Sequence, residues 1–567
     1  IVFELYDINL DDMYFFLNYP PKSELGDSTF NCFELSKELK KNINEITEDI
    51  KNEFQKNPEY FEKISISGGY INFFLNKNVF IRGIESFNLN PKNPKNETIV
   101  VDYIGYNLGK PLHIGHICPP SQGQVTINVY KYLGYNVISD SHFGDWGLFG
   151  KLVAAYKLYG NKNDLQKDPI EHLLMLYIKF TNEAENDKDV EEIARNEFKK
   201  LSNGDEENIK LWKEFVSYSL SAMSKILELL NVKADYDIGE SFYEGLNLPK
   251  LGDFPELKYT MNDIVKELVE KGIATKNDDG SVGVIFPEET KIPSCVLQKK
   301  DGTNLYLTSD LACIKYRITN GWNPSKIIYH VDNRQQLHLK QTFWIAKKVW
   351  PELKDIELYH ALHGFITLKE GAMSTRKGII IRLQDLIEEG FIGTKKILEE
   401  KGRDLKDEDI QAIAIGAIKY SYLSQDRERD VVFDWDKALS FEGNSGPYIQ
   451  YAYVRSCHIL KKAGEIFQFN TENLTNIILE YDINLIKKLF EFDKIVLQTA
   501  LKYKPHILAL YLFELSTELN SFYVHIPKII EEENKDLKYF RLTLIEKLKE
   551  TLEFGFKLLA INMPKEM

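Results

Sequence analysis

Cysteine is scarce: five are scattered over 567 residues (Cys32, Cys118, Cys295, Cys313, Cys457), and no C-x-x-C occurs. That scatter argues against a disulfide framework or a zinc cluster and predicts reduced thiols in a cytosol-like compartment. There is no run of about 18 apolar residues, so no membrane span is expected. The opening residues mix Asp and Glu with apolar groups, so a signal peptide is not expected either, and a start at Ile1 leads us to expect a few residues before it. Internal repeats and low-complexity segments are lacking. Basic residues are outnumbered, 71 Lys and Arg against 85 Asp and Glu, for a net charge of −14. A nucleic-acid partner would therefore need its cations gathered on one face. The apolar and charged fractions are those of an ordinary globular protein, and the length predicts about three to four domains.

What is present is organised around residues 99–150. Residues 99–103 have the length and composition of a buried strand. A turn rich in Gly, Asn and Pro follows, then Lys110-Pro111-Leu112-His113-Ile114-Gly115-His116. Val125, Val129 and Leu133 recur at helical spacing up to Gly134, and residues 136–140 read as the next strand. A strand, a glycine-bearing turn and a helix N-terminus make an anion site, because unpaired N–H groups and the helix dipole converge there. Two imidazoles and an ammonium crowd the same place, so phosphate is the expected ligand. Taken alone, H-x-G-H also fits a capping or core-satisfied histidine pair. A zinc reading lacks a second ligand pair at suitable spacing.

His113-Ile114-Gly115-His116 resembles the HIGH motif of class I aminoacyl-tRNA synthetases. Asn107 and Lys110 before it, and His142-Phe143-Gly144-Asp145-Trp146-Gly147 after it, are similar to the arginyl-tRNA synthetase family. Further matches extend the resemblance over essentially the whole chain. It implies an α/β fold: a class I Rossmann-type doubly wound parallel sheet with a helical insertion, a small N-terminal α+β domain and an all-α C-terminal anticodon-binding domain. It implies ATP-dependent attachment of L-arginine to tRNA(Arg) through an arginyl-adenylate, releasing AMP and pyrophosphate. Mg²⁺ would accompany ATP, with no metal site on the protein, and tRNA would bind before arginine is activated. A cytoplasmic monomer is the default expectation.

On this reading residues 1–90 are the N-terminal domain, which in the family contacts the corner of the tRNA. Leu35, Leu39, Ile43, Ile46 and Ile50 form a helical stripe, and Ile64, Ile66 and residues 70–75 read as strands around a Gly68-Gly69 turn. Gly26-Asp27 and residues 69–73 resemble the family. Tyr70 and Asn72 are candidates to stack on and hydrogen-bond to an unpaired base, with packing on their own sheet as the alternative. Residues 88–97 are a polar linker. Residues 98–382 are the catalytic domain, with a helical insertion at about 151–235. Residues 282–286, Cys295–Gln298, 326–331 and 357–363 are further strand candidates for a mostly parallel sheet with ligands at its C-terminal ends. Residues 383–440 are a helical connection. Residues 441–567 are the anticodon-binding domain, with its start resembling the family at residues 441–452 and helical runs at 448–462, 485–498, 507–523 and 540–559. Tyr451, Tyr453 and Arg455 are candidate base contacts there, with core packing as the alternative. The closing residues 560–567 resemble the family's natural C-terminus.

The first step needs positioning, and cations and N–H donors aimed at charge developing on phosphate. The resemblance assigns His113, Gly115 and His116 to the ATP phosphates. The second class I element, KMSKS, reads Gly371-Ala372-Met373-Ser374-Thr375-Arg376-Lys377-Gly378, so Ala372 and Thr375 replace both lysines. In arginyl enzymes a lysine just before HIGH is thought to substitute, and Lys110 stands there. Met373, Ser374, Arg376 and Lys377 remain as ATP-loop residues. Arginine needs planar acceptors for its guanidinium. Residues 302–317 resemble the segment that supplies them: Asp310 would form the fork and Tyr306 would pack beside it or hydrogen-bond it. Glu240, Gln335, Asn107 and His142 match positions around the same substrate. By composition alone, Asp310 also fits an N-cap or first-turn acid.

Three departures cluster at the centre. Ile104-Gly105-Tyr106 stand where the family has two small hydroxyl residues and a proline, and Ile117-Cys118-Pro119-Pro120 replace the usual Leu-Arg-Ser-Thr. Leu148-Phe149-Gly150 follow one residue short of the usual pattern. Two prolines are tolerated only in a helix's first turn, which predicts a late start near Pro120. These changes keep open a non-catalytic paralogue that binds tRNA or arginine. A class I synthetase for another amino acid is disfavoured by Asp310, Tyr306 and the missing lysines.

Overall fold

The computed structural model describes residues 6, 17–20, 22–245, 253–369, 381–464 and 468–567. The chain divides into two compact units, one of Asn90–Pro447, Gln498–Ala509 and Phe556–Met567, the other of Ile1–Leu89, Tyr448–Leu497 and Leu510–Gly555.

In the first unit the chain runs through β1 (Thr98–Ile104), α1 (Cys118–Tyr132), β2 (Asn136–Phe143), α2 (Phe149–Tyr159), α3 (Pro169–Asn186), α4 (Lys188–Ser202), α5 (Glu206–Leu229) and β3 (Tyr236–Gly239). It continues through α6 (Tyr306–Thr319), β4 (Pro324–Tyr329), α7 (Gln336–Val349), β5 (Glu357–His360) and α8 (Asp407–Leu423). The five strands pair in parallel in the order β5-β4-β1-β2-β3. The order reverses between β1 and β4, and in such sheets the crevice beyond the strand C-termini at that point binds ligands. Val100, Ile238, Leu311, Ile314, Ile327 and Ile345 pack a core on one face of this sheet. That burial explains why β1 reads as a nearly continuous apolar run.

A triad of charged side chains is set inside this packing. Asp102 and Asp140 are register partners on β1 and β2. Arg317 of α6 donates from Nη2 to Asp102 (2.7 Å) and from Nε to Asp140 (2.8 Å), and all three side chains are buried. Burial pushes Asp140 up to about 6, against the pull of Arg317. The triad ties α6 to the two central strands.

Several expectations are corrected. Val282–Val284 and Cys295–Gln298 are strands, but Val282–Val284 pairs antiparallel with Cys295–Gln298 on one side and with Thr275–Lys276 on the other, in a small separate sheet. The connection between them holds only a 3-10 turn, Glu288–Thr290, and a parallel pair would need a long crossover. The 383–440 connection includes a strand, Val431–Phe433, paired in parallel with Ile366–Leu368. Helix α1 starts at Cys118, two residues before Pro120, after a 3-10 turn over Ile114–Ile117. Its prolines occupy first-turn positions, where a missing N–H costs nothing.

The second unit holds an antiparallel sheet in the order Leu17–Asn18, Ser28–Asn31, Tyr70–Leu75, Phe61–Ser67. The expected stripe from Leu35 to Ile50 belongs to two helices, Cys32–Leu39 and Ile43–Phe54, parted by Lys40 at φ 52°. The helix expected over 485–498 is likewise two, Glu480–Phe490 and Phe492–Lys502. Inside this unit Lys487 pairs with Asp27 at 2.5 Å, and a Cβ on Gly83 would lie 2.6 Å from Phe490.

Candidate active site

The turn after β1 carries the two histidines. The backbone N–H of Gly115 donates to His113 Nδ1 (3.1 Å), and that of His113 donates to His116 Nδ1 (2.9 Å). Each Nδ1 is therefore an acceptor, and in the neutral ring the proton sits on Nε2. The rings stack with centroids 3.8 Å apart. Burial, then the neighbouring His113 and Arg334, lowers His116 to about 3. Burial and Arg334 also lower His113. At neutral pH the pair thus offers two uncharged Nε2–H donors side by side, beyond the end of β1. Gly115 leaves room for this arrangement, since a Cβ there would press on the His113 ring at 3.0 Å.

The residues that depart from the family pattern support this turn. Tyr106 is buried, donates its hydroxyl to the carbonyl of His116 (2.6 Å) and sets its ring edge-on to that imidazole. Asn107 bridges to Gly144 after β2, where any Cβ would collide with the Asn107 side chain. Lys110 holds its Nζ 3.8 Å over the centre of the Tyr177 ring of α3. Arg334, after β4, forks onto Asp332 (2.8 and 3.0 Å) and lies over Phe365.

A second group gathers beyond β2 and β3. Asp310 is the fifth residue of α6, whose N-cap is Leu305, so it is not a capping acid. His338 of α7 hydrogen-bonds to Asp310 Oδ2, and His142 Nε2 lies 3.3 Å from Oδ1. Desolvation would raise the Asp310 carboxyl, but hydrogen bonds from His142 and His338 hold it well below the usual carboxylate range. A carboxylate has about four acceptor sites, so two remain for a guanidinium fork. Burial pulls His142 down, while Cys313 and Asp310 raise it well above an ordinary imidazole. Its Nδ1 is buried without a hydrogen-bond partner among the described residues. Glu240 begins the turn after β3. Burial pushes it up to about 7, with His142 opposing and Asp145 and Asp310 adding to the rise. Tyr306, 60% exposed, leans on the His338 ring at 4.5 Å. A cavity of about 380 Å³ opens here, lined by Glu240, Glu244, Tyr306, Ser309, Trp146 and Arg195 among others. Gln335 is exposed at the end of the 3-10 turn Asn333–Gln335.

The turn thus joins Lys110, His113, Gly115 and His116, and the acidic pocket joins His142, Glu240, Tyr306 and Asp310. Met373, Ser374, Arg376 and Lys377 lie outside the described residues. Sequence reasoning missed His338 and Tyr177. His338 was visible only as an imidazole after Gln335, and no spacing signal links it to Asp310 or links Tyr177 to Lys110. In the other unit Tyr70 is exposed with its ring edge on Phe33, whereas Asn72 is only 7% exposed in an inner strand. Of that pair only Tyr70 presents a surface to a base. Tyr451 is 46% exposed. Tyr453 and Arg455 are partly buried, and Arg455 lies over Tyr523 and hydrogen-bonds to Asn520.

Comparison with known proteins adds an independent line. Residues 84–435 match the family described as tRNA synthetases class I (R), catalytic domain; residues 449–567 match the DALR anticodon binding domain; residues 2–75 match the Arginyl tRNA synthetase N terminal domain. The chain is 39% identical over 545 residues to an arginine–tRNA ligase of Fusobacterium nucleatum, covering 94% of this chain and 91% of that one. It is 35% identical over 561 residues to an arginine–tRNA ligase of Clostridium botulinum, covering 97% and 96%. Among solved structures, the arginyl-tRNA synthetase of Thermus thermophilus superposes with a TM-score of 0.79 at 24% identity, covering 97% of this chain and 96% of that one. That of Plasmodium falciparum superposes with a TM-score of 0.74 at 24% identity, covering 97% and 94%. At such identities these two bear on the fold alone.

Proposed function

The chain belongs to the arginyl-tRNA synthetase family, and on that premise we propose how its residues share the work. The enzyme attaches L-arginine to tRNA with ATP. The arginine carboxylate attacks the α-phosphorus, the bond to the β-phosphate breaks, and pyrophosphate leaves. A ribose hydroxyl of the terminal adenosine of tRNA(Arg) then attacks the arginyl-adenylate carbonyl and AMP leaves. The observation that carries the site assignment is the stacked histidine pair with both Nδ1 atoms occupied. Its two Nε2–H groups are preset donors for phosphate oxygens, and donors fixed before the reaction stabilise the charge that develops in it. Lys110 adds the full positive charge that the altered KMSKS segment no longer carries on its lysine positions; Met373, Ser374, Arg376 and Lys377 complete the ATP side.

Asp310 takes the guanidinium in a fork, Tyr306 covers it, Glu240 adds a second acid, and Gln335 meets the same substrate from its turn. Asn107 holds the amino acid's polar end, and His142 braces Asp310. Mg²⁺ would accompany ATP and would screen the charge on the leaving pyrophosphate. Tyr70 stacks on a base of the tRNA corner, and Tyr451, flanked by Tyr453 and Arg455, meets the anticodon. The protein acts as a monomer in the cytoplasm. Free thiols at all five cysteines fit that compartment. The test is charging of total tRNA with arginine, ATP and Mg²⁺, beside Lys110→Ala and a mixture of the other amino acids. Arginine-only charging that collapses in the variant is expected. Undiminished charging by Lys110→Ala would remove the lysine from the phosphate site.

A further inference from the structure

The helical insertion holds the Gly109-Lys110 turn from three sides. Gly109 donates its N–H to Ser219 Oγ of α5 at 3.0 Å. At φ +81°, a Cβ on Gly109 would run into Leu152 of α2, so the turn is pressed against that helix too. The third side is Tyr177 of α3, whose ring carries the Lys110 ammonium at 3.8 Å. The same helix reaches the segment beside the histidines. Glu171, near the start of α3, accepts a hydrogen bond from Arg382 at 2.6 Å. Arg382 bridges to His113, Ile114 donates to Ile381 (3.0 Å), and Leu383 donates to Leu112 (2.8 Å).

We propose that Tyr177 is a positioning residue that seats the Lys110 ammonium on its ring face for use at the ATP phosphates. The inference rests on Lys110 acting at those phosphates. A ring face suits this task better than a carboxylate would. It attracts the cation through its quadrupole and leaves the charge and the N–H groups turned away from the ring available to phosphate oxygens. A carboxylate partner would neutralise the charge, and no ion pair involves Lys110 among the described residues. The seat also removes rotamer freedom from a long side chain, which then need not be frozen when ATP binds. Because α3 grips both Lys110 and Arg382, the insertion aligns the lysine with the backbone that flanks His113.

The test is steady-state arginine charging by the full chain at varied ATP, with tRNA(Arg) and Mg²⁺, for Tyr177→Leu, Tyr177→Phe, Lys110→Ala and the double variant Tyr177→Leu/Lys110→Ala. Melting temperature is recorded for each. Tyr177→Leu is expected to lower kcat/KM for ATP roughly tenfold, within the range a cation–π contact spans, and to leave the KM for arginine in place. Tyr177→Phe, which keeps the ring face, recovers most of the loss. In the double variant the leucine adds nothing to the loss caused by Lys110→Ala. Tyr177→Leu at wild-type efficiency, Tyr177→Phe falling as far as Tyr177→Leu, or multiplying losses in the double variant would each overturn the proposal. If Lys110→Ala alone charges normally, the lysine assignment and this inference fall together. If Lys110→Ala is impaired while Tyr177→Leu is not, only this inference falls.

Discussion

Glu240 ties substrate binding to pH. Its carboxyl is pushed up to about 7 by burial, so it is partly protonated in the empty pocket near neutrality. A guanidinium beside it favours the charged form, so arginine binding expels a proton. Below pH 7 that proton must be driven off and affinity falls; above it the term vanishes. The KM for arginine is therefore expected to drop as pH rises from about 6 to about 8, and Glu240→Gln to flatten that slope. Asp310 behaves oppositely: its imidazole partners keep it charged throughout this range. Asp310→Ala should cost about 3 kcal/mol or more in arginine binding by calorimetry, with ATP binding nearly unchanged. Equal arginine affinity would sink the assignment. At this scale the sequence was legible wherever chemistry repeats at short spacing, as in His113 and His116. Partners that meet only through the fold left no trace: His338 joins Asp310 from another helix, and Tyr177 joins Lys110 from the insertion.

The strands and helices follow local rules closely. Residues 99–103 were legible as a strand because they are a mostly apolar run bounded by a turn, and residues 136–140 because they follow the helix stop at Gly134; the structure extends each of them. Where the reading failed, the missing fact was non-local. An isolated run such as Cys295–Gln298 has strand composition in either sheet, and only its partner decides parallel or antiparallel. Helix α1 starts two residues before Pro120 because prolines fit a first turn readily, which outweighs the restriction that Pro120 places on Pro119. Helix α6 depends on the buried triad. Arg317→Met would leave Asp102 and Asp140 buried side by side without their cation, at a cost of about 3–5 kcal/mol at pH 8. The loss should shrink at lower pH as a carboxylate takes up a proton, and thermal unfolding followed at several pH values would show whether it does.

The division of the whole chain was the least legible feature. Its two units each draw on separated stretches, and no composition shift marks which helical segments belong with which unit. The closing residues belong with the catalytic unit. Ile561 and Met567 are buried, and Lys565 donates its N–H to Asp409 of α8 at 2.6 Å. Buried Lys419 of α8 donates to the carbonyls of Leu230 (2.5 Å) and Ala560 (2.7 Å), at the ends of two helices whose dipoles favour a cation. Burial nonetheless brings its pKa down to about 7. Removing residues 560–567 is expected to leave that ammonium with one acceptor and to speed proteolysis of residues 90–447, while residues 448–497 and 510–555 keep their protection. Equal protection in both would refute it.

The same closing segment bears on how the protein is made. A ribosome releases Asn90–Pro447 long before Phe556–Met567, yet these stretches complete one unit. The nascent chain must hold an unfinished catalytic half until residues 556–567 have been added. A message broken before the codons for those residues therefore yields a chain that lacks part of its catalytic unit, so a factor that supplies translation depends on long, unbroken translation for its own assembly.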